Sequence, residues 1–126
     1  MTSLRAVLQR RLAGHLSDPI DGVPDEAVVV APATLDDAAA VLSLSSEHSL
    51  PVLVWGGGTH QGMGGRVDPA VVVSTARLDR IVDWQPEDLT VVVEAGVRVA
   101  DLEERLTERG QTAVLAEVPG TELWAA

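Results

Sequence analysis

The sequence has no cysteine, no lysine, no phenylalanine and no tyrosine. The absence of cysteine excludes disulfides and thiolate metal sites, and is compatible with a reducing compartment. The absence of lysine excludes a nucleoside-triphosphate loop, because that loop needs a lysine to reach the terminal phosphates. Aromatic residues make up 2% of the chain, so its core must be built from valine, leucine, alanine and isoleucine.

Positive charge and long apolar runs are also scarce. The chain has nine arginines and 19 acidic residues, which gives a formal net charge of -10. This negative charge argues against nucleic acid or an anionic membrane surface as a partner. No window approaches the roughly 20 apolar residues of a membrane span. Gln9, Arg10 and Arg11 interrupt the apolar stretch that a secretory signal would need. We therefore predict a cytoplasmic protein without a membrane span.

Glycine, in contrast, is concentrated in one place. The chain of 126 residues is long enough for one domain. An apolar run, Val52–Trp55, predicts a buried strand, and six of the ten residues that follow, 56–65, are glycine. Glycine adopts positive φ and allows close approach to the backbone, so this loop predicts amide N–H groups turned towards a bound anion, most simply a phosphate.

The dinucleotide-binding fingerprint does not fit this loop. Gly56 and Gly58 supply its first two glycines, but Gln61 stands where the third belongs, and a frame on Gly62 and Gly64 places Val67 there. The following segment is typical of a turn and a strand, so no helix begins at the loop. A phosphate cradle between two strands remains, with a ligand-free flexible connection as the alternative.

Hydrophobic periodicity and turn signals predict the other elements. The first predicted strand, helix and second strand form a β-α-β unit of the length that a right-handed crossover requires. Leu78 and Ile81 are expected to anchor the connection after the third strand. The predicted elements are an amphipathic helix over 1–20, a turn-rich linker ending at Pro24, strands over 27–31, 52–55, 70–74, 89–95 and 112–115, a helix over 34–48 capped by Thr34, a turn over 85–88, and a helix over 99–109 capped by Gly110.

The glycine loop and its flanking blocks resemble the first FAD-pyrophosphate loop of flavin-linked oxidases of the vanillyl-alcohol oxidase / p-cresol methylhydroxylase type. The blocks are Val29-Val30-Ala31-Pro32-Ala33-Thr34 upstream, and Leu78-Asp79-Arg80-Ile81-Val82 and residues 89–97 (LTVVVEAGV) downstream. The resemblance covers roughly residues 26–121. Within the family, the loop is most similar to that of the FAD-binding subunits of glycolate oxidase.

This resemblance implies an α+β (α/β-like) fold, the N-terminal lobe of a PCMH-type FAD-binding domain, with a small β-α-β sheet and flanking helices. It divides the chain into 1–24, a partial FAD-binding domain over 25–121, and a divergent end over 122–126. It implies non-covalent FAD, because the histidine that carries covalent FAD in some members aligns with Thr59 rather than His60. Arg66 would add a local positive charge. The implied cofactor-binding residues are Gly56, Gly57, Gly58, Thr59, His60, Gln61 and Gly62.

The implied function is that of the first lobe of a flavin-dependent oxidoreductase acting on a 2-hydroxy acid. No catalytic residue is named, because the family's substrate-contacting groups come from later regions. Gly120-Thr121 resembles the start of the family's second glycine-rich segment, but Glu122, Leu123 and Trp124 depart from it. We therefore expect a truncated or split chain that is inactive alone, has a complementary chain as partner, and self-associates through an exposed sheet edge.

Two other functions remain open at this point: a noncatalytic interaction module with the same fold and no flavin, and an α/β domain that binds another phosphate compound.

Several single residues also have two interpretations. Ser74 and Thr75 would either face the adenine side of the cofactor or end a strand, and Glu94 is expected to organise a turn. Trp55 is expected to pack in the core. His15, His48 and His60 do not have metal-ligand spacing.

Overall fold

The computed structural model describes residues 4–115. Single helical turns at Ala13–His15 and Pro86–Asp88 accompany the regular elements. The mixture of small sheets and flanking helices confirms the predicted α+β class. The helices are α1 (Leu4–Arg11), α2 (Leu35–Glu47) and α3 (Val99–Thr107), and the strands are β1 (Val28–Val30), β2 (Val52–Trp55), β3 (Val71–Ser74), β4 (Ile81–Gln85) and β5 (Thr90–Val93).

A three-stranded parallel sheet with the order β1-β3-β2 forms the centre of the fold. Alternate residues of each strand point to opposite faces. One face packs against α1 and α2 through Leu8, Leu12 and Val41, and the other is covered by Ile20 and Val23. All residues of β1 and β3 are buried, as expected for apolar runs covered on both faces.

The predicted β-α-β unit exists, but β3 lies between its two strands. Because β2 and β3 are parallel, their connection must run from the carboxyl end of β2 back to the amino end of β3, a path that usually contains a helix. Here residues 56–70 make it without one. At the far end, the amides of Ala70 and Val71 donate to the carbonyl of Pro51 at 3.0 and 3.2 Å. The glycine-rich start of this connection therefore lies at the carboxyl edge of the sheet.

The N-terminal helix is shorter than predicted. It ends at Arg11, and residues 15–17 run antiparallel to β1, with Leu16 bridging Val30. The amide of Ser17 donates to Val29 at 3.0 Å, and that of Ala31 donates to His15 at 2.7 Å. The prediction of helix as far as residue 20 was wrong because the edge of β1 offers unpaired backbone groups, which an extended segment satisfies.

A second sheet, the antiparallel hairpin of β4 and β5, was only half predicted. The sequence indicated β5 and the turn over 85–88, but β4 was taken as part of a connection. Its residue Trp84 and the β5 residues Val91 and Val93 pack against α3. The alternation of apolar and polar residues from Val82 to Gln85 is the signal for this strand, although it spans only four residues.

The predicted last strand over 112–115 was wrong, because these residues are irregular. The Thr112 hydroxyl and the Ala113 amide each donate to the carboxylate of Glu103 at 2.8 Å, so a side chain takes the backbone donor that a neighbouring strand would need. Gly120-Thr121 and Leu123-Trp124 lie outside the described residues. Within residues 4–115, no helix has the length and apolarity to cross a membrane. The cytoplasmic location and the division into 1–24, 25–121 and 122–126 stay predictions.

Gly96 joins the hairpin to the parallel sheet. Its amide donates to the carbonyl of Leu78 at 2.7 Å, and the Thr75 hydroxyl donates to the carbonyl of Ala95 at 3.4 Å. An ideal Cβ at Gly96 would lie 1.8 Å from the carbonyl oxygen of Thr75. Since that neighbour is backbone rather than a movable side chain, only glycine fits this contact.

We expect Gly96→Ala to destabilise the fold by about 3 kcal/mol or more, because the two sheets must separate to admit the methyl group. Urea unfolding monitored by circular dichroism measures the change. Gly14→Ala is the matched control: an ideal Cβ there meets no atom within 4 Å, so its effect should stay within about 1 kcal/mol. Equal stability of the two variants would contradict the Gly96 contact.

Candidate functional site

The carboxyl edge of the parallel sheet gathers three chain segments. Because β1, β2 and β3 are parallel, the residues that follow them, Ala31, Gly56 and Thr75, emerge at the same edge. Ligands of open parallel sheets bind outside this edge. The glycine loop predicted from the sequence is therefore placed where the fold itself favours a ligand.

The amides of the glycine loop are available as donors. The β2–β3 ladder ends where the Thr75 amide donates to the Trp55 carbonyl at 3.0 Å, and the next loop donor is Met63, which donates to His60 at 3.0 Å. Within the part of the chain that the structure describes, the amides from Gly56 to Gly62 donate no backbone hydrogen bond. All seven predicted cofactor-binding residues thus belong to one loop whose backbone donors face no internal acceptor.

Side chains fix the shape of this loop. The Gln61 amide group donates to the Val54 carbonyl at 3.1 Å, and the Thr59 hydroxyl lies 3.2 Å from Nδ1 of His60. Gly58 has a φ of +77°, and an ideal Cβ there would lie 2.9 Å from the Trp55 indole. Glycine is required at position 58 both by the left-handed backbone and by the packed indole.

Trp55 packs against Gly58 on one side and near Gly22 on the other, and it belongs to the core cluster of Val29 and Val72. Trp55 was expected to pack in the core rather than against a ligand, and its position agrees with that expectation. Beside Trp55, the part of the β2–β3 connection that runs back along the sheet borders an open cavity of about 370 Å³. Arg66 and His60 are among the residues that line this cavity. Arg66 thus lies along the return path rather than directly at the strand ends.

Charge is distributed unevenly along the edge. Asp36 and Asp37 occupy the first turn of α2, which begins just beyond β1, whereas no acidic residue occurs between Glu47 and Asp68. The side of the edge next to β2 therefore lacks the negative charge that dominates the rest of the chain. Acidic side chains therefore repel an anion less at the carboxyl end of β2 than at the carboxyl end of β1.

Arg77 is a residue of this edge that the sequence analysis did not single out. It follows the end of β3, and its Nη1 donates to the carbonyl of Ala31, at the end of β1, at 3.2 Å. Its guanidinium therefore lies across the carboxyl edge. The available signal was its position: an arginine three residues past the last residue of a buried parallel strand reaches the edge where ligands bind.

Glu94 is a structural residue, not a free carboxylate. It is 7% exposed, and Arg80 donates to it from the backbone amide at 3.0 Å, from Nε at 3.1 Å and from Nη2 at 2.6 Å. The hydrogen bonds from the Arg80 side chain, followed in importance by the one from its backbone, hold the pKa of Glu94 below its ordinary value. The hydrogen bond to Glu94 and the negative charge of Glu94 raise the pKa of Arg80 in return. The expected turn-organising role of Glu94 agrees with these contacts.

Ser74 and Thr75 are also committed to internal contacts. The Ser74 hydroxyl accepts from the Ala76 amide at 3.3 Å, the Thr75 hydroxyl donates to Ala95, and both residues are buried. Of their two interpretations, strand termination agrees with the structure. The loop amides and the Arg77 guanidinium are among the donors at this edge.

Comparison with known proteins assigns the chain to a family. Residues 26–121 match the model of the FAD binding domain family. The match covers most of the chain, so the chain belongs to the FAD binding domain family, and its cofactor is FAD. The predicted resemblance to the vanillyl-alcohol oxidase / p-cresol methylhydroxylase type is confirmed.

Individual relatives agree with this assignment. 1'-Carboxy-chondrochloren decarboxylase of Chondromyces crocatus is 31% identical over 96 residues, which cover 74% of this chain and 18% of that protein. Glycolate oxidase subunit GlcD of Bacillus subtilis (strain 168) is 28% identical over 104 residues, covering 78% and 22%. The structure of p-cresol methylhydroxylase with substrate bound has a TM-score of 0.59 and 18% identity, covering 90% and 23%. The chain spans about a fifth of the length of these relatives.

The residues present fit one part of FAD. A diphosphate needs several hydrogen-bond donors without a competing acceptor, and the amides from Gly56 to Gly62 donate to no backbone acceptor within the described residues. The left-handed backbone at Gly58 is typical of loops that turn successive amides towards an anion.

The Arg80–Glu94 pair predicts a loss of stability in acid. Because the pKa of Glu94 is lower in the folded than in the unfolded chain, the pair contributes its full stabilisation above the ordinary carboxyl pKa of about 4.3. That contribution is lost as the pH falls through the lower pKa of the folded state. Glu94→Gln should therefore unfold at lower urea concentration at neutral pH, and should lose less further stability in acid.

Urea midpoints measured between about pH 7 and pH 3 test this pH dependence. Glu108→Gln is the matched control, because Glu108 pairs with Arg105 while its side chain is 54% exposed, and exposed pairs contribute at most about 1 kcal/mol. The control should follow the wild-type pH profile. A Glu94→Gln profile parallel to that of the wild type would contradict the assignment.

Proposed function

We propose that the loop from Gly56 to Gly62 binds the diphosphate of FAD through its backbone amides. The observation that carries this proposal is the set of loop amides without an internal acceptor at the carboxyl end of β2. The hydroxyl of Thr59 and the side chain of His60 contact each other at 3.2 Å beside these amides. The bound FAD is non-covalent.

Local hydrogen bonds outweigh the repulsion from the chain's net charge of -10. Surface charges are screened beyond about 8 Å at physiological salt. Each N–H bond to a charged acceptor contributes about 1.5 to 3 kcal/mol. Three or four such bonds from the loop therefore dominate, provided that no carboxylate lies close, and the loop itself contains none.

The wider function is that of the first lobe of a flavin-dependent oxidoreductase acting on a 2-hydroxy acid. The similarity to a glycolate oxidase subunit supports this substrate class. FAD supplies hydride acceptance when bound, while the protein supplies binding and orientation. Since the chain spans about a fifth of that relative, the groups that contact the substrate come from a region outside these residues.

Titration of flavin fluorescence with the 126-residue chain tests cofactor binding. Saturable binding of FAD, with weaker binding of ADP and ADP-ribose, is the expected result. No binding would favour the interaction module, and preference for a simpler nucleotide would favour a general phosphate site. Oxidation of a 2-hydroxy acid by the chain with FAD alone would contradict the assignment of the substrate-contacting groups to another region.

Gly58→Ala should weaken FAD binding about tenfold, because the left-handed backbone costs an alanine about 1–2 kcal/mol and the new methyl group meets the Trp55 indole. The same fluorescence titration measures the dissociation constant. Gly65→Ala is the control: it lies in the same connection, an ideal Cβ there meets no atom within 4 Å, and its affinity should match that of the wild type. Equal weakening in both variants would point to a general effect of removing glycine.

A further inference from the structure

The guanidinium of Arg77 is fixed at the ligand edge without a carboxylate partner. Its Nη1 donates to the Ala31 carbonyl at 3.2 Å. No carboxylate of residues 4–115 forms an ion pair with it, whereas Arg80 and Arg105 are paired with Glu94 and Glu108. A guanidinium has five N–H donors, so one contact to a carbonyl leaves donors available for another acceptor.

The strand order places this group opposite the glycine loop. Arg77 reaches from β3 to the end of β1, and the loop begins at the end of β2, on the other side of β3. Neighbouring strands are about 4.8 Å apart, so the ends of β1 and β2 are separated by about 10 Å. The loop and the Arg77 guanidinium therefore lie on opposite sides of the end of β3, where Ala95 and Gly96 pack against Thr75.

The side chains at the end of β3 make contacts within the protein. The hydroxyls of Ser74 and Thr75 are already bonded within the protein. An acidic turn, the first turn of α2, follows β1, and its Asp37 lies 3.9 Å from His15.

We propose that Arg77 is the cationic binding residue for the FAD diphosphate, completing the cradle that the loop amides begin. This inference rests on the proposed function of the loop. Amides supply direction but no net charge, and the chain contains no lysine. Arginine binds phosphate oxygens through paired N–H donors, so the amides would hold one side of the diphosphate and Arg77 the other.

A purely structural role is the competing explanation, in which Arg77 only satisfies the Ala31 carbonyl. Arg77→Gln separates the two, because glutamine retains an N–H donor but has no charge. Arg109→Gln removes the same charge from the exposed residue that follows Glu108 at the end of α3. It controls for the change in net charge.

The test is a titration of each 126-residue variant with inorganic pyrophosphate, followed by ¹⁵N-resolved NMR. In the wild type, saturable shifts of the amides from Gly56 to Gly62 and of the Arg77 side-chain N–H are expected. Arg77→Gln should weaken pyrophosphate binding about tenfold and make it less sensitive to salt. Arg109→Gln should bind as the wild type does.

The outcomes distinguish the two proposals. Absence of loop shifts in the wild type overturns the proposed function of the loop and this inference with it. Loop shifts with an unchanged dissociation constant in Arg77→Gln overturn the inference alone. If Arg77→Gln does not fold, the Arg77 side-chain signal of the wild type decides: a shift that saturates together with the loop amides supports the contact, and an unmoved signal refutes it.

Discussion

The burial of β3 between β1 and β2 is the constraint on which the rest of the structure depends. Parallel pairing on both sides sends all three strand ends to one edge and requires the chain to travel back along the sheet before β3 begins. The glycine loop, the end of β1 and Arg77 meet there for that reason. The site is thus a product of strand order more than of any one motif.

Much of this was accessible from the sequence, because local signals agreed with the tertiary structure. The cap at Thr34, the positive φ of Gly110 and the glycine cluster each act over a few residues. The end of α1 at Arg11, the strand order and the position of Arg77 depend on partners that are distant in sequence. β4 was missed because its alternation is short and begins only after the consecutive apolar residues Ile81 and Val82, where the strand pairing shifts register.

The block Glu94-Ala95-Gly96 has a structural role that its contacts explain. Glu94 receives three hydrogen bonds from Arg80, and Gly96 lies against the carbonyl of Thr75. Both contacts attach the hairpin to the segment that leaves β3. A sequence block that suggests the family by its pattern is therefore, in this structure, the joint between two sheets.

The contact between Trp55 and Gly58 also restricts how this protein can diverge. An indole stacked on a left-handed glycine leaves no room for a side chain at position 58. A larger residue becomes tolerable there only if it accepts left-handed backbone, as asparagine does, and if position 55 shrinks at the same time. A larger residue at position 58 therefore requires a change at position 55 as well.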